Sequence, residues 1–174
     1  LLRSESSGLS VTPYSPVFTS EEKPAFLVSS ERDLFYRIKV ISREALLRDV
    51  SDPVEKQRLS LNPFLDLPEA SLDLKKIAAL DSIYDGEGIF APRHAHLAQA
   101  RLVLPRTLPA GDYLIQVEAR PLIGQQTERL LLPFRVTDLG AIIKTDCSRT
   151  KILAFDLVKR KVLSGVDIEI FERS

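Results

Sequence analysis

Residues 107–124 read TLPAGDYLIQVEARPLIG. Pro109, Gly111 and Asp112 crowd ahead of Tyr113, and an alternating apolar run follows. Pro and Gly bend a chain and an Asp side chain hydrogen-bonds a turn. The stretch therefore predicts a turn that launches a strand, not the lip of a ligand site: Tyr113 opens the strand and Leu114, Ile115 and Val117 share its two faces. The segments on either side extend the pattern. HLAQARLVLP (96–105) predicts a strand running into the turn, with DYLIQVEARP (112–121) as its antiparallel partner, and RLLLPFRVTD (129–138) predicts a third strand after a turn at Gly124. Strands about ten residues apart, with Gly or Pro between them, are the signature of an antiparallel β-sandwich.

Further upstream, PAFLVSS (24–30) and DLFYRIKVIS (33–42) are rich in Val, Ile, Phe and Tyr and are separated by the polar Ser29–Arg32 stretch, which predicts two strands and a turn. In the second, Phe35, Arg37 and Lys39 alternate with Tyr36, Ile38 and Val40, giving one basic face and one apolar face. At SREALLRDV (42–50) the period changes. Ser42 is a helix N-cap, Ala45, Leu46 and Leu47 face a core, and the helix must stop before Pro53. The three prolines of DPVEKQRLSLNPFLDLPEA (52–70) predict an irregular connector, perceptible as an insertion at about 42–70. Within SLDLKKIAAL (71–80) the first half is expected as strand, and YDGEGIFAPR (84–93) is expected as a loop from its glycines and proline. The Ser-rich residues 1–11 are expected as a tail or linker, with order beginning near Tyr14.

The predicted fold class is thus an all-β antiparallel sandwich over residues 12–137 with a short helical insertion. Residues 138–174 repeat the plan with three more strand-like runs, AIIKTD, KILAFDLV and VDIEIFE, and are expected to be the first strands of a second, partial domain.

Composition narrows the function classes. The chain has 174 residues, 44% of them hydrophobic, and 24 basic residues balance 24 acidic ones. A balanced charge gives no footprint for nucleic acid or an anionic membrane surface, so neither is expected as a partner. The lone cysteine, Cys147, excludes an internal disulfide framework and a cysteine-built zinc site. No apolar run reaches the roughly 20 residues of a membrane-spanning helix. LLRSESSGLS lacks the basic and apolar segments of a signal peptide, and the absence of methionine suggests a piece of a longer polypeptide.

Candidate sites are few. His94 and His96 stand two apart, so a strand would point both rings to one face, and Asp81, Asp85 and Glu87 lie close enough in sequence to complete a metal site. A polar loop leading into an edge strand explains the same residues, and no metal or other cofactor is expected. Asp85 to Gly88 lacks the alternating oxygen ligands of a calcium loop. No G-x-S-x-G or Cys/His arrangement for nucleophilic catalysis occurs, so the chain is not expected to be an enzyme. Lys159, Arg160 and Lys161 are expected at a solvated hairpin tip. Phe64, Leu65 and Leu67 are apolar in a connector, where they either cap one open end of the sandwich or contact an adjacent domain.

Residues 134–171, FRVTDLGAIIKTDCSRTKILAFDLVKRKVLSGVDIEIF, resemble the junction between consecutive macroglobulin domains in bacterial alpha-2-macroglobulin-like proteins. There a VTDLG step leaves one domain, a strand pair follows, and a turn, here Val158–Ser164 with Gly165 after it, precedes the next strand. SPVFTSEEKPAFLVSSERDLFYRIKVISREALLRDV (15–50) and LPAGDYLIQVEA (108–119) also look like the family's opening and strand starts. The resemblance implies a module of an exported, cell-envelope-attached or periplasmic protease trap, often a lipoprotein, whose partners are neighbouring domains of the same parent and, through the parent, target proteases. The family's thioester requires a Cys-x-Glu-Gln motif. Cys147 is followed by Ser148, Arg149 and Thr150, and Gln125 and Gln126 follow no cysteine, so this stretch is read as scaffold. A surface adhesin or carbohydrate-binding sandwich is the alternative that the strand pattern permits.

Overall fold

The computed structural model describes residues 2–3, 9–15, 17–30, 32–49, 51, 53, 56, 80–90, 98–122, 127–146 and 148–167. The strands among these residues are β1 (Leu2–Arg3), β2 (Ser10–Pro13), β3 (Val17–Phe18), β4 (Ala25–Ser30), β5 (Leu34–Ser42), β6 (Tyr84–Phe90), β7 (Ala98–Val103), β8 (Gly111–Pro121), β9 (Glu128–Val136), β10 (Leu139–Thr145), β11 (Thr150–Asp156) and β12 (Lys161–Val162), and α1 (Arg43–Asp49) is a helix. They form a four-stranded sheet ordered β1-β2-β4-β7, a five-stranded sheet ordered β3-β9-β8-β5-β6 and a three-stranded sheet ordered β10-β11-β12. All pairings are antiparallel except β3 on β9, which is parallel.

The first two sheets enclose one core. Val11, Phe26 and Val28 from the four-stranded sheet meet Ile38, Val40, Ile115, Val117, Leu132 and Phe134 from the five-stranded one. Its centre is aromatic: Phe26 meets Phe134 edge-on at 5.3 Å between ring centroids, and Tyr113 stacks on Phe134 at 5.4 Å. Burying each such ring contributes about 1.5–3 kcal/mol. The alternation expected in β5 holds, with Ile38 and Val40 inside and Arg37 outside.

β8 explains why the 107–124 stretch decides the fold. It lies between β5 and β9, so Tyr113, Ile115 and Val117 enter the main core. Leu114 faces the other way and is buried with Ile41, Leu131 and Leu46 of α1. The helix begins as expected: the Ser42 hydroxyl oxygen accepts the Ala45 N–H at 3.2 Å, satisfying one of the free donors of the first turn. Ahead of β8 the Tyr113 hydroxyl donates to the Pro109 carbonyl at 2.7 Å. This tyrosine corner is a hallmark of immunoglobulin-like sandwiches and pins the turn to the strand that it launches.

Four expectations change. β7 and β8 are not partners: β7 pairs with β4 and β8 with β5 and β9, because a strand apolar on both faces needs a central position and the Leu104–Ala110 connection crosses from one sheet to the other. Residues 84–90 form a strand, not a loop. A Cβ on Gly88 would lie 2.6 Å from the Tyr36 hydroxyl, and one on Gly86 would collide with the Tyr84 ring, so these glycines are the spaces over which tyrosine rings lie rather than turn residues. Order starts before Tyr14, since Leu9 and Val11 are 1% and 0% exposed in the core. The last hairpin turns at Leu157–Arg160 and not across 158–164, which holds β12; Gly165 adopts a positive φ of 70°, as its place demands.

Candidate functional site

The chemistry of this chain lies in how its parts are joined. Asp138 follows β9 by two residues and precedes β10, so it stands where the sandwich ends and the three-stranded sheet begins. Its carboxylate accepts the Ser20 N–H at 2.7 Å and the Ser20 hydroxyl at 2.6 Å, while its carbonyl accepts the Leu157 N–H at 2.8 Å. Thr137 N–H donates to the Phe18 carbonyl at 2.8 Å. One residue thereby clamps the β3–β4 turn of the sandwich and the β11–β12 turn of the next sheet. The turn is prepared for this: Glu22 accepts the Thr19 N–H at 2.7 Å and the Thr19 hydroxyl at 3.0 Å.

A second clamp closes the same end of β8. Asp112 accepts Arg135 Nε at 2.5 Å and Arg43 Nη1 at 2.8 Å, tying β9 and α1 to the start of β8. The expected contact with the preceding turn is replaced by this pair of guanidinium groups. Burial pushes the Asp112 carboxyl up, but the hydrogen bonds from Arg135 and Arg43 outweigh it and hold the group below its ordinary value. On the exposed face of β5, Arg37 forks onto Asp85 through Nε at 3.0 Å and Nη2 at 2.6 Å, which lowers the Asp85 carboxyl. Arg129 reaches Glu118 at 2.6 Å.

Beyond the junction, the three-stranded sheet is apolar and open on both faces. Ile142 and Ile143 are neighbours in β10 and so point to opposite faces, yet they are 55% and 65% exposed. Around Ile142, Leu153, Phe155 and Val162 line a hollow of about 330 Å³.

Of the residues singled out from sequence, Asp85 and Glu87 fall on β6, and Asp85 is committed to Arg37. His94, His96, Phe64, Leu65, Leu67, Gly124 and Cys147 lie outside the described residues, as does the connector apart from positions 51, 53 and 56. Asp138 lies in the VTDLG run whose sequence predicts a domain junction, and what its side chain holds is not local to that run. Ser20 is 118 residues away, and no local pattern links the two.

A similar fold occurs in a solved structure. Native alpha-2-macroglobulin from Escherichia coli, in a fragment spanning domains MG0-NIE-MG1, superposes with a TM-score of 0.51 over 90% of this chain at 16% identity. The fold is alpha-2-macroglobulin-like. The chain spans about half of that fragment, 48% of its length. A shorter fragment of the same protein, spanning NIE-MG1, is matched at a TM-score of 0.46 and 19% identity, over 89% of this chain and 73% of the fragment. No protein-family model matches the chain, and no curated protein does. Among the described residues no helix is long and apolar enough to cross a membrane.

Proposed function

We propose that this chain is a non-catalytic structural module of an exported alpha-2-macroglobulin-like protease inhibitor, with residues 12–137 forming one macroglobulin-like sandwich and 138–174 beginning the next. Its work is to hold neighbouring modules at a fixed geometry around a protease trap. The observation that carries this reading is the junction: a finished sandwich is clamped through Asp138 to a sheet whose two apolar faces are open. A sheet needs a second layer to bury such faces, and the partner that supplies it here is the continuing polypeptide of the parent. Export to the periplasm, the cell envelope or the medium belongs to the same reading, as do target proteases engaged by the parent and not by this module.

The adhesin or carbohydrate-binding alternative calls for a row of exposed rings. Among the described residues, Tyr14 is the one aromatic side chain more than a third exposed. That favours the structural reading.

The test compares this chain with a version extended by the next segment of the parent reading frame. Binding of the dye 1-anilinonaphthalene-8-sulfonate should fall on extension as Ile142, Ile143 and Val162 become covered. The parent should restrain protease attack on a large protein substrate, and this chain alone should leave it unchanged. Stoichiometric inhibition by the isolated chain would overturn the structural reading, and a parent made only of sandwich repeats without a cleavable bait segment would remove the protease trap.

A further inference from the structure

We infer that a groove on the outer side of the four-stranded sheet binds an extended acidic polypeptide segment. The groove is about 530 Å³ and runs from β3, through Val17 and Phe18, past Tyr14 just after β2 and Ala25 at the start of β4 to Val103 at the end of β7, with Lys23 and Arg101 among its lining. The alignment is fixed by backbone pairing, since Tyr14 N–H donates to the Ala25 carbonyl at 2.8 Å and Ala25 stands opposite Val103. Adjacent strands lie roughly 4.8 Å apart, so this stretch of the groove floor spans about 10 Å, the length of roughly three extended residues.

Charge selects the occupant. Glu22 also lines the groove with its carboxylate turned to the Thr19 N–H and hydroxyl, so it keeps its charge and the lining carries a net single positive charge from Lys23 and Arg101. The Ser15 hydroxyl is committed, donating to the Val17 carbonyl at 2.6 Å. Elsewhere in the sandwich Arg37, Arg43, Arg129 and Arg135 all pair with carboxylates. In the groove neither Lys23 nor Arg101 has a carboxylate partner among the described residues. Arg101 instead lies over the Tyr14 ring, its guanidinium carbon 5.0 Å from the centroid, which holds the cation in place on an exposed aromatic platform.

Two cations over an apolar floor about three residues long suit a strand-like segment that alternates carboxylate and aliphatic side chains. The carboxylates meet Lys23 and Arg101, and the aliphatic side chain between them lies on Val103 and Tyr14. A nucleic acid would need a longer basic track, and a chain with balanced charge has no field to attract one.

The experiment follows fluorescence anisotropy of a labelled peptide, Glu-Val-Glu-Val-Glu-Val, with the full chain, against its Gln-Val counterpart. The acidic peptide should bind saturably and weaken as salt rises from about 50 to about 300 mM. Binding should drop about tenfold or more for the neutral peptide and for the Lys23→Gln/Arg101→Gln double variant. Tyr14→Leu, which keeps both charges and loses the platform, should weaken it about threefold. Equal binding of the two peptides, no saturable binding at about 1 mM, unchanged binding by the double variant, or displacement of the peptide by a single-stranded oligonucleotide would each overturn the proposal. None of these outcomes bears on the structural-module reading, which depends on the exposed apolar faces of the three-stranded sheet and not on the groove.

Discussion

The five-stranded sheet and the three-stranded sheet of this chain are built from similar strands and live in different surroundings. In β8, neighbouring residues Leu114 and Ile115 are both buried, one beneath α1 and one in the main core. In β10, neighbouring Ile142 and Ile143 are both exposed. The residue types are nearly the same, so the second layer and not the strand decides what a side chain contributes. Where the layer exists, an apolar side chain is worth kilocalories; where it is missing, the same side chain is a contact waiting for its neighbour.

The sharpest way to break this comparison is to truncate one side chain in each sheet. Phe134→Ala removes a ring at the centre of the aromatic cluster and should cost about 3–5 kcal/mol, read by chemical denaturation. Ile143→Ala should change stability by less than about 0.5 kcal/mol, because that side chain has little burial to lose. Comparable losses at both sites would mean that the three-stranded sheet is already layered in solution.

Next in size is the clamp at the start of β8. Asp112→Asn should cost about 2 kcal/mol near neutral pH, since hydrogen bonds to charged groups are the stronger ones. The pH dependence has a definite sign. The folded Asp112 carboxyl titrates below its unfolded value, so the unfolded chain binds the proton first and the clamp's stabilisation is present above the ordinary carboxylate value, about 4. It is lost as pH falls from there through the folded value. Melts of the unsubstituted chain and Asp112→Asn should therefore draw together as pH falls below about 4, and a gap that stays constant down the acid limb would remove the charge from the explanation.

Tyr113→Phe sharpens the comparison inside one strand. The ring stays in the core and only the hydroxyl bond to Pro109 is lost, so the cost should be about 1 kcal/mol, far below that of Phe134→Ala.

These sites mark how far the sequence could be read. The alternation in 33–42, the Ser42 cap and the turn before Tyr113 are local patterns, and each appears where local chemistry put it. The partners of those elements were less legible. Pairing β7 with β8 followed from adjacency in the chain, whereas β8's apolar residues on both faces were the better guide to a central strand. The glycines of 84–90 read as a loop because what covers Gly88, the Tyr36 ring on β5, belongs to another part of the sequence. Asp138 was visible as a motif and Ser20 was not, because a hydrogen bond across 118 residues has no periodicity.

The smallest effect falls in the open sheet. Asp156 accepts the Val158 and Lys159 N–H groups at 3.0 and 2.7 Å, which nucleates the turn into β12. Arg160 then completes the turn with φ at 54°, the left-handed region. A side chain there costs about 1 kcal/mol that glycine avoids, offset in part by the greater freedom that glycine has when unfolded. Arg160→Gly should thus stabilise the hairpin by about 0.5 kcal/mol. Because, among the described residues, the three-stranded sheet adds nothing to the buried clusters of the sandwich, the gain should appear as slower amide exchange at the Leu163 N–H, which donates to the Ala154 carbonyl at 2.9 Å, while exchange in β8 stays unchanged. Slower exchange in both sheets would show that the Asp138 clamp makes the two regions unfold as one unit, and the contrast between them would then be one of burial alone.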